Sequence, residues 1–153
     1  MANTYTQIYI QVVFAVQGRE AALPESRRDE LHGYMTGVVK RHGQKMLAIN
    51  SMPDHVHLFV GLKPDCALSS LVRDVKAASA KWTREKGWVA GRFSWQEGFG
   101  AFSYSHSQIG SVIRYIERQQ IHHAKRSFAE EYRQILERFA VRYDLRYVFA
   151  PPE

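Results

Sequence analysis

The chain opens with alternating apolar and polar residues, and this period of two predicts a β-strand over residues 5–16. An apolar stripe with the helical period then covers residues 23–41. A second strand is predicted over residues 45–51. The turn residues Pro53-Asp54 lead into a third apolar run, so the second and third strands are expected to pair as a hairpin.

The second half of the chain switches between helical and strand patterns in the same way. Ser105 or Ser107 can cap the helix that carries Tyr115, because a serine hydroxyl accepts hydrogen bonds from the first free amides of a helix. The predicted elements are a helix over 67–86, strands over 92–96 and 100–104, helices over about 105–123 and 128–141, and an edge strand over 147–149.

The resulting order, β-α-β-β-α-β-α, predicts an α+β fold. We expect a ferredoxin-like or RRM-like antiparallel sheet with its helices mainly on one face. No linker or repeat interrupts the pattern, so residues 1–153 are predicted to form one domain, long enough for a sizeable core.

The composition excludes several classes of protein. With 45% hydrophobic and 24% charged residues it is typical of a globular domain. The single cysteine, Cys66, rules out an intramolecular disulfide and a cysteine-rich metal site. No apolar run approaches the roughly 20 residues of a membrane helix. The first residues lack the features of a signal peptide, so we expect a cytoplasmic protein with no membrane partner.

His55 and His57 lie two positions apart in the third predicted strand. Because side chains alternate between the faces of a strand, both imidazoles are expected on one face, roughly 6–7 Å apart. One divalent metal ion can sit between two such imidazoles. A pair of surface or structural histidines is the alternative, and this motif alone leaves it open.

Tyr115 and Gln119 are four positions apart in a helical pattern, so they are expected to share a helix face. Two imidazoles and an amide oxygen would leave coordination positions for phosphate oxygens, and they suit Mg²⁺ or Mn²⁺ better than a closed zinc site. The phenol of Tyr115 is then a candidate covalent nucleophile towards a phosphodiester. The alternative is a tyrosine that only packs at the edge of the core.

The formal net charge of +6 favours a polyanionic partner. Basic residues concentrate in the helix over 67–86 and around Tyr115, where they can hold a phosphate backbone or form a solvated helix face. The predicted DNA-binding residues are Arg73, Lys76, Lys81, Arg84, Arg114 and Arg118.

Two other function classes stay open at this point. A non-catalytic nucleic-acid-binding module would explain the charge, but it would not explain why ligand-type histidines, Gln119 and Tyr115 occur together. A small metal-dependent hydrolase that activates water would need no Tyr115, and its DNA products would carry no covalent protein.

Three segments together resemble one family. Residues 52–58 resemble the histidine–hydrophobic–histidine strand of the HUH endonucleases. Residues 95–103 resemble the segment before the catalytic helix in the single-tyrosine transposases of small insertion sequences, and residues 115–123 resemble their tyrosine helix. The resemblance covers nearly the whole chain, in order.

The resemblance implies a transposase that cuts and rejoins single-stranded DNA at hairpin-bearing ends through a 5′-phosphotyrosine. It implies Mg²⁺ or Mn²⁺ as cofactor and a homodimer whose sites are shared between subunits. Carried over by position, Tyr115 is the nucleophile, and His55, His57 and Gln119 are the metal ligands. Repeat-associated tyrosine transposases are related proteins with the same site that process chromosomal hairpins, and they are the alternative within the family.

Overall fold

The computed structural model of the chain describes residues 3–18, 23–89, 92–123 and 126–143. Its strands are β1 Tyr9–Ala15, β2 Lys45–Met52, β3 His55–Gly61 and β4 Gly100–Tyr104. Its helices are α1 Arg28–Arg41, α2 Leu68–Lys86, α3 Ile109–Glu117, α4 Gln119–His123 and α5 Phe128–Arg138. The strands form one antiparallel sheet in the order β2-β3-β1-β4, which confirms the predicted α+β, ferredoxin-like fold and the hairpin of β2 with β3.

The two central strands are apolar on both faces, so helices cover both sides of the sheet. Val12 and Phe14 of β1 pack into the core formed with α1 and α2. Val13 and Ala15, on the opposite face of the same strand, pack against α5. On that second face Phe59 of β3 packs against α3. The two longest helices therefore lie on one face, and α3, α4 and α5 lie on the other. The expectation that the helices lie mainly on one face is wrong, because β1 and β3 are apolar on both faces and need cover on each.

The strand predicted over 92–96 is wrong: within the described part of this segment only Trp95 pairs, in a single bridge with Val16. Phe93 and Trp95 are buried because they pack onto the α2 side of the core. The Trp95 indole also donates to the Ser79 hydroxyl of α2 at 2.9 Å. The alternation in this segment therefore reflects helix packing and not a strand ladder.

The continuous helix predicted up to residue 123 is also wrong, because it breaks at Arg118 between α3 and α4. The buried side chain of Asn50 stabilises this break. Its amide nitrogen donates to the carbonyl oxygens of Ile116 at 2.8 Å and Glu117 at 3.3 Å, which replaces helical hydrogen bonds at the end of α3. The same amide group exchanges hydrogen bonds with the side chain of Gln120.

Other boundaries differ by a few residues. β1 begins at Tyr9 and not at residue 5, and α5 ends at Arg138 and not at residue 141. Ser105 is the serine that caps the turn before α3, in a capping box with Gln108. The edge strand predicted over 147–149 lies outside the described residues.

His32 of α1 couples stability to pH, and its Nε2 lies 2.8 Å from the Ser51 hydroxyl. Burial, assisted by the charge of Arg28, lowers the pKa of His32 from 6.5 to about 4. Between these values the unfolded chain binds more protons than the folded chain. The free energy of unfolding therefore falls as the pH drops through this window, and the full contribution is present above pH 6.5.

We expect His32 to remove on the order of 1 kcal/mol of stability between about pH 7.5 and about pH 5, allowing for its partial exposure. Urea unfolding at both pH values measures this loss for the wild type and for His32→Gln. The variant keeps a polar group near Ser51 but cannot titrate. Its loss of unfolding free energy between the two pH values should therefore be smaller than that of the wild type by about 1 kcal/mol. Equal losses in the two proteins would contradict the assignment.

Candidate active site

β3 places the two histidines of the predicted metal site on the sheet face that α3, α4 and α5 cover. His55 and His57 are both fully buried, and their ring centroids lie 5.1 Å apart. The register of β3 with β1 holds them opposite Ala15 and Val13. Because β3 pairs with β2 on one side and with β1 on the other, its register fixes the face and the spacing of the two imidazoles.

A buried carboxylate from α5 completes the histidine cluster. Glu131 Oε1 lies 3.6 Å from His55 Nε2 and 3.2 Å from His57 Nε2. Among the described residues, ligand atoms of His55, His57 and Glu131 all lie within 4.8 Å of one another. An arrangement of two imidazoles and one carboxylate can hold a single divalent metal ion.

The second oxygen of the same carboxylate meets the other two predicted site residues. Gln119 Nε2 donates to Glu131 Oε2 at 2.9 Å, and the Tyr115 hydroxyl donates to the same oxygen. Arg126 Nη2 in turn donates to the Tyr115 hydroxyl oxygen at 3.0 Å. The structure thus brings all four residues predicted from the sequence to one carboxylate, and the face shared by Tyr115 and Gln119 survives the break at Arg118.

Each histidine has a partner behind it. His55 Nδ1 lies 2.7 Å from Asp54 Oδ1, and a carboxylate there holds the proton on Nδ1 and directs Nε2 into the site. His57 Nδ1 lies 3.0 Å from the amide nitrogen of the buried Gln11, whose oxygen accepts a hydrogen bond from the Tyr104 hydroxyl at 2.7 Å. A 180° turn of the Gln11 amide would present its oxygen to Nδ1 and leave the Nε2 lone pair to a metal.

Charge and burial at this site act on the pKa of two groups. Burial raises the pKa of the Tyr115 phenol, and the charge and hydrogen bond of Glu131 raise it further against the opposing effects of Gln119 and Arg126. Burial lowers the pKa of His55, but the hydrogen bonds and charges of Asp54 and Glu131 outweigh it, and the net shift is upward. Without additional positive charge, Tyr115 is held as the neutral phenol.

These residues fit a divalent metal ion. Two imidazoles and a carboxylate are donors that Mn²⁺ accepts readily, and Mg²⁺ accepts the oxygen donors of the set. The carboxylate and amide behind the histidines are the outer partners that metal-binding imidazoles usually have. His55, His57 and Glu131 would hold the ion, with the amide oxygen of Gln119 as the further ligand predicted from the sequence.

The Gln11 contact yields a test of metal binding. We expect Gln11→Leu to weaken Mn²⁺ binding about 10- to 100-fold, because the variant removes the group that orients His57. Isothermal titration with Mn²⁺ in the absence of DNA measures this change. Gln7→Leu, at an exposed position two residues before β1 begins, is the control of the same substitution and should bind Mn²⁺ like the wild type. Equal affinities of the two variants would exclude a positioning role for Gln11.

Two side chains of the site, Glu131 and Gln11, were not identified from the sequence, and Arg126 was considered only as one of the basic residues around Tyr115. For Glu131 a signal does exist. It lies three residues after Phe128 and four before Ile135, on the buried stripe of α5. A carboxylate on an apolar stripe is uncommon unless it is paired, so its position marks a functional or ion-paired group. Nothing comparable in the sequence distinguishes Arg126.

The predicted DNA-binding residues lie on two faces of the protein. Arg73, Lys76, Lys81 and Arg84 belong to α2, on the sheet face opposite Tyr115, whereas Arg114 and Arg118 are exposed beside α3. Two of the α2 residues hold neighbouring loops. Lys76 Nζ donates to the carbonyl oxygens of Gln96 at 2.8 Å and Gly98 at 2.7 Å, and Arg84 donates to that of Phe93 at 2.8 Å. The six DNA contacts stay predictions.

The fold and the site together define a class of protein: a small α+β domain with a buried histidine pair and carboxylate next to a tyrosine hydroxyl. Within the described residues, no helix is both long and apolar enough to cross a membrane. The sequence profile of the family described as "Transposase IS200 like" matches residues 4–119, well over half of the chain. The chain belongs to this family of transposases.

Individual proteins agree with this assignment. The chain is 26% identical over 120 residues to the ISDra2 transposase TnpA of Deinococcus radiodurans. The aligned region covers 74% of this chain and 84% of that protein. A solved structure of a candidate transposase from Deinococcus radiodurans R1 is similar with a TM-score of 0.61 and 22% identity, covering 78% of this chain and 95% of the other.

A second solved structure shares the fold. It is a REP-associated tyrosine transposase bound to a REP hairpin, similar with a TM-score of 0.60 and 18% identity over 80% of this chain and 73% of the other. The family match ends at Gln119, so α5, with Glu131, lies beyond the matched segment. The carboxylate of the site is therefore supplied from outside the part of the chain that carries the family match.

Proposed function

We propose that this transposase cuts and rejoins single-stranded DNA through a covalent bond between Tyr115 and a 5′-phosphate. The observation that carries the proposal is the meeting of the Tyr115 hydroxyl with the His55 and His57 pair at one buried carboxylate, Glu131. A water-activating hydrolase would not need a tyrosine hydroxyl at this point. A purely DNA-binding module would need neither the tyrosine nor the buried histidines.

In this mechanism the Tyr115 oxygen forms a bond to phosphorus while the bond from phosphorus to the 3′ oxygen of the preceding nucleotide breaks. The Tyr115 proton passes to Glu131 Oε2, its present hydrogen-bond partner, and Glu131 then gives this proton to the departing 3′ oxygen, which leaves as a hydroxyl. Arg126 remains beside the phenolic oxygen and offsets negative charge there. Attack by a 3′ hydroxyl on the phosphotyrosine reverses these steps and rejoins the DNA.

A Mg²⁺ or Mn²⁺ ion held by His55, His57 and Glu131 would supply Lewis-acid stabilisation of the negative charge that develops on the phosphate oxygens. Gln119 is proposed to contribute to the same site, because its amide is hydrogen-bonded to the Glu131 carboxylate. Tyr115 stays a neutral phenol until that carboxylate takes its proton.

The proposed substrate is a DNA hairpin with a single-stranded flank. The REP-associated tyrosine transposase with the same fold is bound to a REP hairpin, and the net charge of +6 suits such a partner. We also propose a cytoplasmic location and a homodimer. Mixing inactive Tyr115→Phe and His57→Ala proteins tests whether sites are shared: recovered activity requires sharing between subunits. If no activity is recovered, each site is completed within one chain, in the way that Tyr115 contacts Glu131 of the same chain.

A covalent-adduct assay tests the proposed function. Single-stranded oligonucleotides from both strands of the DNA flanking the gene are incubated with protein and Mg²⁺ or Mn²⁺, with EDTA as control. We expect an adduct that survives denaturation, requires metal and maps to Tyr115 by peptide mass spectrometry. Cleaved DNA without an adduct would indicate a hydrolase. Hairpin binding with proven metal occupancy but no cleavage would indicate a binding module.

A repeat-associated role is the second candidate, because the REP-associated tyrosine transposase matches this fold with a TM-score of 0.60, against 0.61 for the Deinococcus radiodurans R1 structure. The DNA around the gene separates the two roles. A mobile element has its own ends, which the adduct assay would identify, and other copies in the genome. A repeat-associated enzyme would instead form adducts with dispersed chromosomal hairpins.

A further inference from the structure

A cleft of about 330 Å³ opens directly beside Tyr115, between α3, α5 and the sheet. α3 contributes Ser111, Val112 and Tyr115 to its walls, and α5 contributes Ile135 and Arg138. Tyr104 of β4 contributes to its floor. The volume is at the lower end of the roughly 300–1,000 Å³ typical of pockets that bind small ligands.

The side chains along this cleft are not those of a helix–helix contact. Gln108, the residue before α3, is followed by Ser111 and Tyr115 at spacings of three and four positions, so these three residues lie on one side of the helix. Val112, next to Ser111, borders the same side. A stripe that packs on a neighbouring helix is normally apolar. Here it carries an amide, a hydroxyl and a phenol, and Arg138 faces the same space from α5. Polar groups therefore line an opening where packed side chains would be expected.

We propose that this cleft binds the nucleotide next to the scissile phosphate, an inference that rests on the proposed function. The rings of Tyr104 and Tyr115, together with the nearly buried Val112 and Ile135, form the apolar part of the lining that the faces of a base would meet. The Gln108 amide and Ser111 hydroxyl offer donors and acceptors to its edge. The Arg138 guanidinium offers a charge-assisted contact to the adjoining phosphate.

The position of the cleft explains how its occupant would aid the reaction. Tyr115 forms part of the wall, so a nucleotide bound there lies against the nucleophile. The floor residue Tyr104 donates to Gln11, which contacts His57, so the cleft is also one hydrogen-bond chain away from the histidine pair. Ile135 and Arg138 lie beyond the segment that matches the family. Recognition in the cleft therefore depends on a part of the chain outside the family match.

Abasic substrates test the cleft. In the adduct assay, oligonucleotides carry one abasic site at each position around the cleavage point in turn. We expect one position next to the scissile phosphate where removal of the base slows adduct formation about 10-fold, the scale of one lost base-stacking contact. No dependence on any flanking base would overturn the proposal.

Ser111→Trp fills the cleft from an exposed position on α3. This variant should slow reaction of intact DNA by a similar factor and show no further loss with the sensitive abasic substrate, because both changes remove the same interaction. A Ser111→Trp protein that keeps the wild-type sensitivity to that abasic site would overturn the proposal.

Arg138→Gln provides a second variant, with Arg133→Gln as its matched control. Both remove one exposed positive charge from α5, but only Arg138 lines the cleft. We expect a 5- to 10-fold slower adduct formation with Arg138→Gln and less than a twofold change with Arg133→Gln. Equal decreases in the rate of adduct formation would show that Arg138 acts only through its positive charge. They would contradict the proposal that the cleft binds a nucleotide.

A binding measurement separates failure of the cleft from failure of the proposed chemistry. DNA with 2-aminopurine at the position next to the cleavage point is bound to Tyr115→Phe protein, which cannot form the adduct. We expect a fluorescence change that is lost when Ser111→Trp is added to this protein. If the wild type forms no adduct with any DNA, the proposed function fails, and this arm still decides whether the cleft takes a base.

Discussion

Tyr115→Phe is expected to abolish the covalent protein–DNA adduct, lowering its rate of formation by at least about 10³-fold, because no other group can replace a covalent nucleophile. The phenyl ring keeps the stacking contact with His122 and the edge contact with His57, whose centroids lie 4.7 Å and 6.1 Å from that of Tyr115. Only the oxygen between Glu131 and Arg126 is lost. Affinity for hairpin DNA should therefore stay within about twofold of the wild type, since one hydroxyl contributes little to a phosphate-dominated interface.

Denaturing gels measure the adduct, and fluorescence anisotropy at fixed salt measures hairpin binding. Tyr132→Phe is the matched control, since Tyr132 also lies on the site-bearing side of the sheet and burial raises its pKa to about 12. Its ring stacks on Phe128, and its hydroxyl lies beside Gly100 of β4. Tyr132→Phe should form the adduct at the wild-type rate. An adduct formed by Tyr115→Phe at another residue would show that this other residue is the nucleophile. Loss of hairpin binding in Tyr115→Phe would show that Tyr115 binds DNA.

The histidine pair was accessible from the sequence because its geometry is local. Two residues of one strand that are two positions apart must share a face, whatever surrounds them. The same alternation accounts for Val12 and Phe14 lying in one core, and the helical period placed Tyr115 and Gln119 together. Such predictions need only the period of the element, which the alternation of apolar residues reveals.

Features that depend on distant partners were not accessible in this way. Glu131 is separated from His57 by 74 positions, and only the packing of α5 on the sheet brings them together. The break at Arg118 follows from Asn50, which is 66 positions from Ile116 and whose amide takes the last carbonyls of α3. Trp95 looked like a strand residue because its partner, Ser79 on α2, could not be identified from local spacing. At Arg118 and at Trp95 a long-range polar contact overrides a local pattern, whereas at Glu131 it adds a partner that the local pattern does not identify.

The third metal ligand is decided by comparing Glu131→Gln with Gln119→Leu. We expect Glu131→Gln to raise the dissociation constant for Mn²⁺ about 100-fold or more, because it replaces a charged donor with a neutral amide of the same shape. Gln119→Leu should raise it by about 10-fold, since this variant removes the hydrogen bond that orients the Glu131 carboxylate and any direct ligand from the amide oxygen. Glu130→Gln, the same substitution at the exposed neighbouring position of α5, should leave the affinity unchanged.

Mn²⁺ titrations followed by electron paramagnetic resonance measure these affinities without DNA, and thermal unfolding confirms that each variant is folded. If Gln119 were the ligand and Glu131 only accepted the Tyr115 proton, the order would reverse. Glu131→Gln would then bind Mn²⁺ within about threefold of the wild type while still slowing the adduct, because proton acceptance by a general base is worth about 10²- to 10⁴-fold in rate. The two carboxylate oxygens make both roles compatible. Oε1 faces the histidines and Oε2 faces Tyr115, so loss of both metal affinity and adduct formation in Glu131→Gln would assign one residue to metal binding and to proton transfer.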